Sequence, residues 1–268
     1  MSRSPRRTTL GRTVRNGALA GAAAGGVGAA AMYWLVEPSI RAAITIEEAG
    51  PTSAGSSGHG HEAAAGHMHS ADALVSRGEQ VVLGLVTVLL VGILIGIAFA
   101  LVHRVLGPRL PGGSAAGSAM VLAGLGFIAF TLAPALVIPA NPPAVGDPQT
   151  VNLRTITYLG TIVCAAGLTA LVTSTARARS LTSANRVAAA TALGIVGTVV
   201  LVWALPNAAD PVPANVPADL IWRFRIASLA QIALMWLVLG AVFGFLTQPA
   251  SHARSVVSAT TTGQLAGV

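Results

Sequence analysis

Residues 81–102 read VVLGLVTVLLVGILIGIAFALV, without a charged side chain. A helix of this length is about 33 Å long, enough to cross the hydrocarbon of a bilayer. Five further apolar runs of spanning length contain no Asp, Glu or Arg: residues 17–36, 120–138, 155–173, 187–205 and 226–246. The first is the least apolar, mostly Ala and Gly. Hydrophobic residues make up 53% of the 268 and charged residues 9%, against about 25% charged in a soluble domain. The reading is an all-α, polytopic integral membrane protein with about six transmembrane helices in three helical hairpins. Within it lie a basic N-terminus (1–16), a membrane domain (17–247) and a disordered tail (248–268).

Charge placement gives the orientation. All sixteen basic residues are Arg. With the N-terminus inside, eleven fall on inner segments and five on outer ones, as the positive-inside rule requires. All nine acids then fall outside. Both termini are expected in the cytoplasm. The pI of about 11.4 does not indicate nucleic acid, because the arginines are spread between apolar runs and build no basic face. The Arg-rich start, Arg3, Arg6, Arg7, Arg12 and Arg15, fits either a signal peptide or a retained first span; retention is the expectation. Gly17, Gly21 and Gly25 recur every fourth residue, spacing that lets another helix approach closely.

The outer connections carry the chemistry. Residues 37–80 form a His-rich loop holding His59, His61, Glu62, His67, Met68 and His69 on a Gly/Ala/Ser tether. Imidazoles, a carboxylate and a thioether suit a divalent transition metal, loosely held because nothing in the loop fixes geometry. The plain alternative is a solvated linker. Glu37, Glu47 and Glu48 form either an acidic mouth or ordinary surface ion pairs, with a short helix on the outer surface after Glu37-Pro38. The other two outer loops are proline-rich, hence rigid caps. Each hairpin has an acid and then an Arg before the returning helix, Asp72/Arg77, Asp147/Arg154 and Asp219/Arg223, a weak threefold repeat. With Asn141, these residues are expected to pair and frame an outer vestibule. Asp147→Asn and Asp219→Asn are expected to lower cation accumulation. None of the six runs contains an acid, an arginine or a histidine, and His103 stands at the inner end of the second. No hydrolase or Walker motif is present, so the protein is read as not an enzyme, without a cofactor.

One family shares these features. Val36-Glu37-Pro38, Glu47-Glu48-Ala49, the His-rich insert, Val75-Ser76-Arg77-Gly78, Pro139-Ala140-Asn141-Pro142-Pro143-Ala144-Val145-Gly146-Asp147-Pro148 and Pro217-Ala218-Asp219-Leu220-Ile221-Trp222-Arg223-Phe224-Arg225 occur in this order. The chain resembles the CbtA family of predicted cobalt transporter subunits from about residue 17 to 246, with Ile138 where the family often has an aromatic. The resemblance implies a bacterial cytoplasmic membrane protein that imports cobalt in connection with cobalamin synthesis, beside lipid and a small His-bearing CbtB-like subunit. The residues alone point to a divalent cation; cobalt comes from the resemblance. The alternative function is a membrane metal buffer that serves another transporter without transporting. The lack of acids within the spans favours that alternative or a dependence on a partner.

Overall fold

A computed structural model describes residues 9–49, 76–143, 145, 148–206, 209–210, 212–213 and 215–248. The described residues form helices joined by turns and irregular segments, and six helices are long and apolar enough to cross a membrane. Helix α1 (Leu10–Ala31) runs through a π-helical segment, Met32–Val36, into α2 (Glu37–Glu48). Next come α3 (Arg77–Leu106), α4 (Ala115–Phe127), a second π segment, Ile128–Leu132, and α5 (Ala133–Val137). The chain ends with α6 (Val151–Thr175), α7 (Ser183–Ala204) and α8 (Ala218–Thr247).

Polar residues mark the helix starts. Ser76 and Glu79 form a reciprocal capping box on α3, with Ser76 N–H donating to Glu79 Oε2 at 2.7 Å. Ser114 Oγ accepts from Gly117 N–H, and Thr182 Oγ1 from Asn185 N–H, at the starts of α4 and α7. These contacts satisfy amide donors that a helix's first turn leaves without partners.

The first run does not end at Glu37-Pro38. The helix continues to Glu48, and Ser39 and Ala43 of α2 are buried, where α2 packs along the start of α8. A proline inside an α-helix clashes with the carbonyl four residues back. Here that carbonyl belongs to Trp34, inside the π segment, where the hydrogen-bond ladder is widened. Pro134 follows the second π segment in the same way and is fully buried. Each π turn lets a proline sit within a span without stopping it.

The packing departs from three consecutive hairpins. Helices α1 and α3 do pair closely, and α8 packs against both α1 and α4. Helix α7, by contrast, lies on α6 rather than on its successor α8. The result is a core of α1, α3, α4 and α8, with α6 and α7 applied to its side at the second π segment. The core is filled by Ala20, Ala24, Phe99, Ala100, Ala119, Leu122, Ala123, Leu239 and Phe243. A smaller cluster, Ala129, Ala133, Ala165 and Leu201, joins the α6–α7 pair to it. Trp203 of α7 is 87% exposed, with Val187, Ile195, Val196 and Val199 also bare, a surface suited to lipid rather than water.

The Gly17/Gly21/Gly25 spacing has its expected consequence. A methyl group on Gly17 would meet Gly96 O at 2.5 Å, and one on Gly25 would meet Leu89 O at 2.8 Å. A methyl on Gly21 would run into Gly92 O, and Gly92 and Gly96 of α3 are blocked in turn by α1. The two backbones are in contact, so only hydrogen fits between them. Between lipid-exposed helices such contact contributes through dispersion, since lipid offers no hydrophobic drive to associate.

Candidate functional site

The helix order places α2, the start of α3, the end of α5, and the starts of α6 and α8 at one end of the bundle. Here a cavity of about 620 Å³ lies between Ile40, Pro139–Pro143, Arg154, Asp210 and Phe224. Asp210 is its acid. The Asp210 side chain is 2% exposed, and Oδ2 pairs with Arg154 Nη1 at 2.5 Å. Thr150 Oγ1 donates to Asp210 Oδ1 at 2.6 Å. The pair ties the segment before α8 to the first turn of α6. Asn141 also lines the cavity. Its Oδ1 accepts from Arg225 Nη2 at 2.8 Å, and Arg225 Nε donates to Ala140 O at 3.1 Å.

Glu37 stands at the same end, 4% exposed, where the second π-free stretch of the first long helix begins. Its Oε1 accepts from Arg77 Nη2 at 2.8 Å and from Arg41 Nε at 3.0 Å. A buried carboxylate is tenable only with such partners. The Arg77 contact also fixes the first turn of α3 beside α2.

Glu47, Glu48, Arg77, Asp219 and Arg223, also expected at the vestibule, do not line this cavity. Glu47 and Glu48 are exposed at the far end of α2. Asp219 and Arg223 pair at 3.5 Å along the surface of α8, 67% and 74% exposed, so the pair contributes little. Arg77 pairs with Glu37, and Arg154 with Asp210. Their expected partners Asp72 and Asp147 lie outside the described residues, as do His59, His61, Glu62, His67, Met68 and His69. Among the described residues, no three His, Cys, Asp or Glu side chains come together as a metal site.

Two contributors were not singled out as site residues in the sequence. Asp210 is 56 positions from Arg154, and its proline-rich surroundings give no sign of that pairing. Arg225 is two residues from Arg223, hence about 200° around the helix. That offset explains why Arg223 faces outward while Arg225 reaches Asn141.

At the opposite end, His103 Nε2 lies 2.9 Å from Ser118 Oγ. Its ring is stacked with Phe99 and edge-on to Phe243, at centroid distances of 6.4 and 5.1 Å. The same end is closed by Asn16 Nδ2, which donates to Leu246 O at 3.1 Å and so joins the first and last helices.

Six apolar helices, a lipid-suited flank and polar groups gathered at the ends define a multi-pass membrane protein. Its family is shown by sequence. Residues 10–248 match the family described as "Probable cobalt transporter subunit (CbtA)", and the chain belongs to that family. No curated protein and no solved structure matches the chain.

Proposed function

We propose that the protein takes up a divalent cation, cobalt by its family, through the end that carries Glu37 and Asp210. Both termini face the cytoplasm in this reading, and the first helix is retained, since α1 touches α3 and α8 along the core. The His59–His69 segment joins α2 to α3 beside that end, where it collects metal. The cavity of Asn141, Arg154 and Asp210 then receives it. The observation that carries the reading is the placement of a nearly inaccessible carboxylate, Asp210, in a cavity at the end where that segment is attached.

In the structure, Arg154 supplies the positive charge that Asp210 needs. A hydrated divalent cation can take its place, because a carboxylate and an amide oxygen such as that of Asn141 are suitable oxygen ligands for a hard or borderline ion. The guanidinium then swings toward water, which it can do because Arg154 is 29% exposed. The exchange keeps the carboxylate neutralised throughout, so no uncompensated charge is left buried. The absence of acids from the central parts of the spans is the reason to propose that passage beyond the cavity depends on a partner subunit, a small His-bearing membrane protein in this reading.

The deciding experiment is cobalt accumulation in vesicles that hold the protein with and without its partner. Uptake that requires both, and falls in Asp210→Asn, supports the proposal. Metal bound at the surface but never delivered to the lumen, with or without the partner, would establish the buffering role instead.

A further inference from the structure

A second cavity lies at the opposite end of the bundle, at the turn between α3 and α4. The chain bends there through a 3-10 turn, Gly107–Arg109, and through Gly112 and Gly113, both at positive φ (139° and 66°). Such values strain any side-chain-bearing residue. The cavity measures about 930 Å³. Its polar lining is Arg104, Arg109, His103, Ser114 and Ser118, with no carboxylate among the described residues.

The two arginines are positioned by the fold. Arg104 Nη1 donates to Thr13 Oγ1 of α1 at 3.4 Å, and Arg109 Nη1 donates to Val105 O at 2.9 Å. Gly107 matters to the histidine: a methyl group there would meet His103 Cε1 at 2.8 Å and Nε2 at 2.9 Å. The ring therefore lies against bare backbone on the cavity wall. The acids described, Glu37, Glu47, Glu48, Glu79, Asp210 and Asp219, all belong to segments at the other end. A basic cavity without acids repels the divalent cation proposed as cargo, so transport does not account for it.

Its surroundings are apolar. Val105 and Leu110 line it, and Leu101, Val102, Val105 and Met120 are exposed on the adjoining turns of α3 and α4. These helices pack mainly on α1 and α8 and touch each other little, so their outward flanks meet at this turn as a lipid-facing surface. A guanidinium fork matches the oxygens of a phosphate, and basic pockets at the ends of membrane helices are suited to anionic headgroups. We propose that this cavity binds a phosphate group of net negative charge, carried by an anionic phospholipid headgroup or free in solution.

The test uses the full chain, purified and reconstituted in nanodiscs of phosphatidylglycerol with phosphatidylcholine. Native mass spectrometry then counts retained lipid, and thermal unfolding in detergent is compared in inorganic phosphate and in chloride at equal ionic strength. The wild type is expected to retain phosphatidylglycerol over phosphatidylcholine, or to be stabilised by phosphate over chloride. The first result identifies the headgroup as the source and the second the free anion. Arg104→Gln/Arg109→Gln should weaken the response roughly thirtyfold, the scale for removing two basic side chains at a membrane surface. Arg177→Gln/Arg179→Gln, which removes the same charge from the α6–α7 connection, should leave it unchanged. Should the first double variant not fold, Arg109→Gln alone decides, since that side chain is held by its own helix turn. Equal losses in both double variants, or a wild type indifferent to both lipid and phosphate, would overturn the proposal.

Discussion

Asp210 precedes α8 and Asp219 stands in its first turn, and their surroundings separate them. Asp210 is nearly inaccessible and held by Arg154 and Thr150, whereas Asp219 faces water beside Arg223. Asp210→Asn is expected to reduce cobalt accumulation at limiting metal several-fold, with Asp219→Asn close to wild type. Equal rates in the two variants, measured on protein inserted to the same level, would place the cavity off the path. Glu37→Gln tests a different property. It removes the charge that two guanidinium groups share, at a cost of about 1–3 kcal/mol, toward the lower end because Arg41 and Arg77 reach solvent. A lower unfolding temperature with uptake affinity unchanged is the expected result; an unaltered melting curve would show that the clamp contributes nothing. That these acids and arginines gather at one end of the bundle was legible from the sequence. Which acid meets which arginine was not, because residues 56 positions apart carry no mark of their pairing.

The α1–α3 contact depends on the absence of side chains. Gly21→Leu or Gly96→Val must push two backbones apart, since the obstructing atoms are backbone atoms of the facing helix. Overpacking of this kind costs about 1–3 kcal/mol. Gly26→Ala, one position from the seam, meets nothing within 4 Å and should leave stability unchanged. Thermal unfolding of the three variants in one detergent checks the contrast; a Gly26→Ala variant as unstable as Gly21→Leu would mean that the seam is not what matters. The four-residue glycine spacing foretold a close helix approach but did not name the partner. The two prolines show a similar limit. Pro38 reads as a helix stop, and only the π turn before it shows how the helix passes through to Glu48.

At the scale of the whole molecule, orientation and metal collection each have a direct measurement. An alkaline phosphatase fused between residues 53 and 58 should be active, and one fused after Gln248 inactive. The reverse pattern would invert the proposed topology. Replacing His59, His61, His67 and His69 together with Ala should raise the cobalt concentration needed for uptake more than it lowers the maximal rate, because a tether changes local concentration and not the path. The benefit of the tether should fade as pH falls through about 6.5, where imidazoles take up protons and cease to be ligands. A fall in maximal rate alone would assign the histidines to the path itself. By itself the sequence located six stretches able to cross a membrane, because lipid requires about 20 apolar residues and admits few charges among them. It also determined that the acids lie on alternate connections, apart from those that carry Arg104, Arg109, Arg177, Arg179 and Arg186. Only the tertiary structure decided which helices touch. A side chain facing lipid and one facing a neighbouring helix are equally apolar, so no hydrophobic pattern distinguishes the central α8 from the peripheral α7. The same packing brings Asp210 to Arg154 and Asn141 to Arg225, contacts that exist only once the helices are assembled.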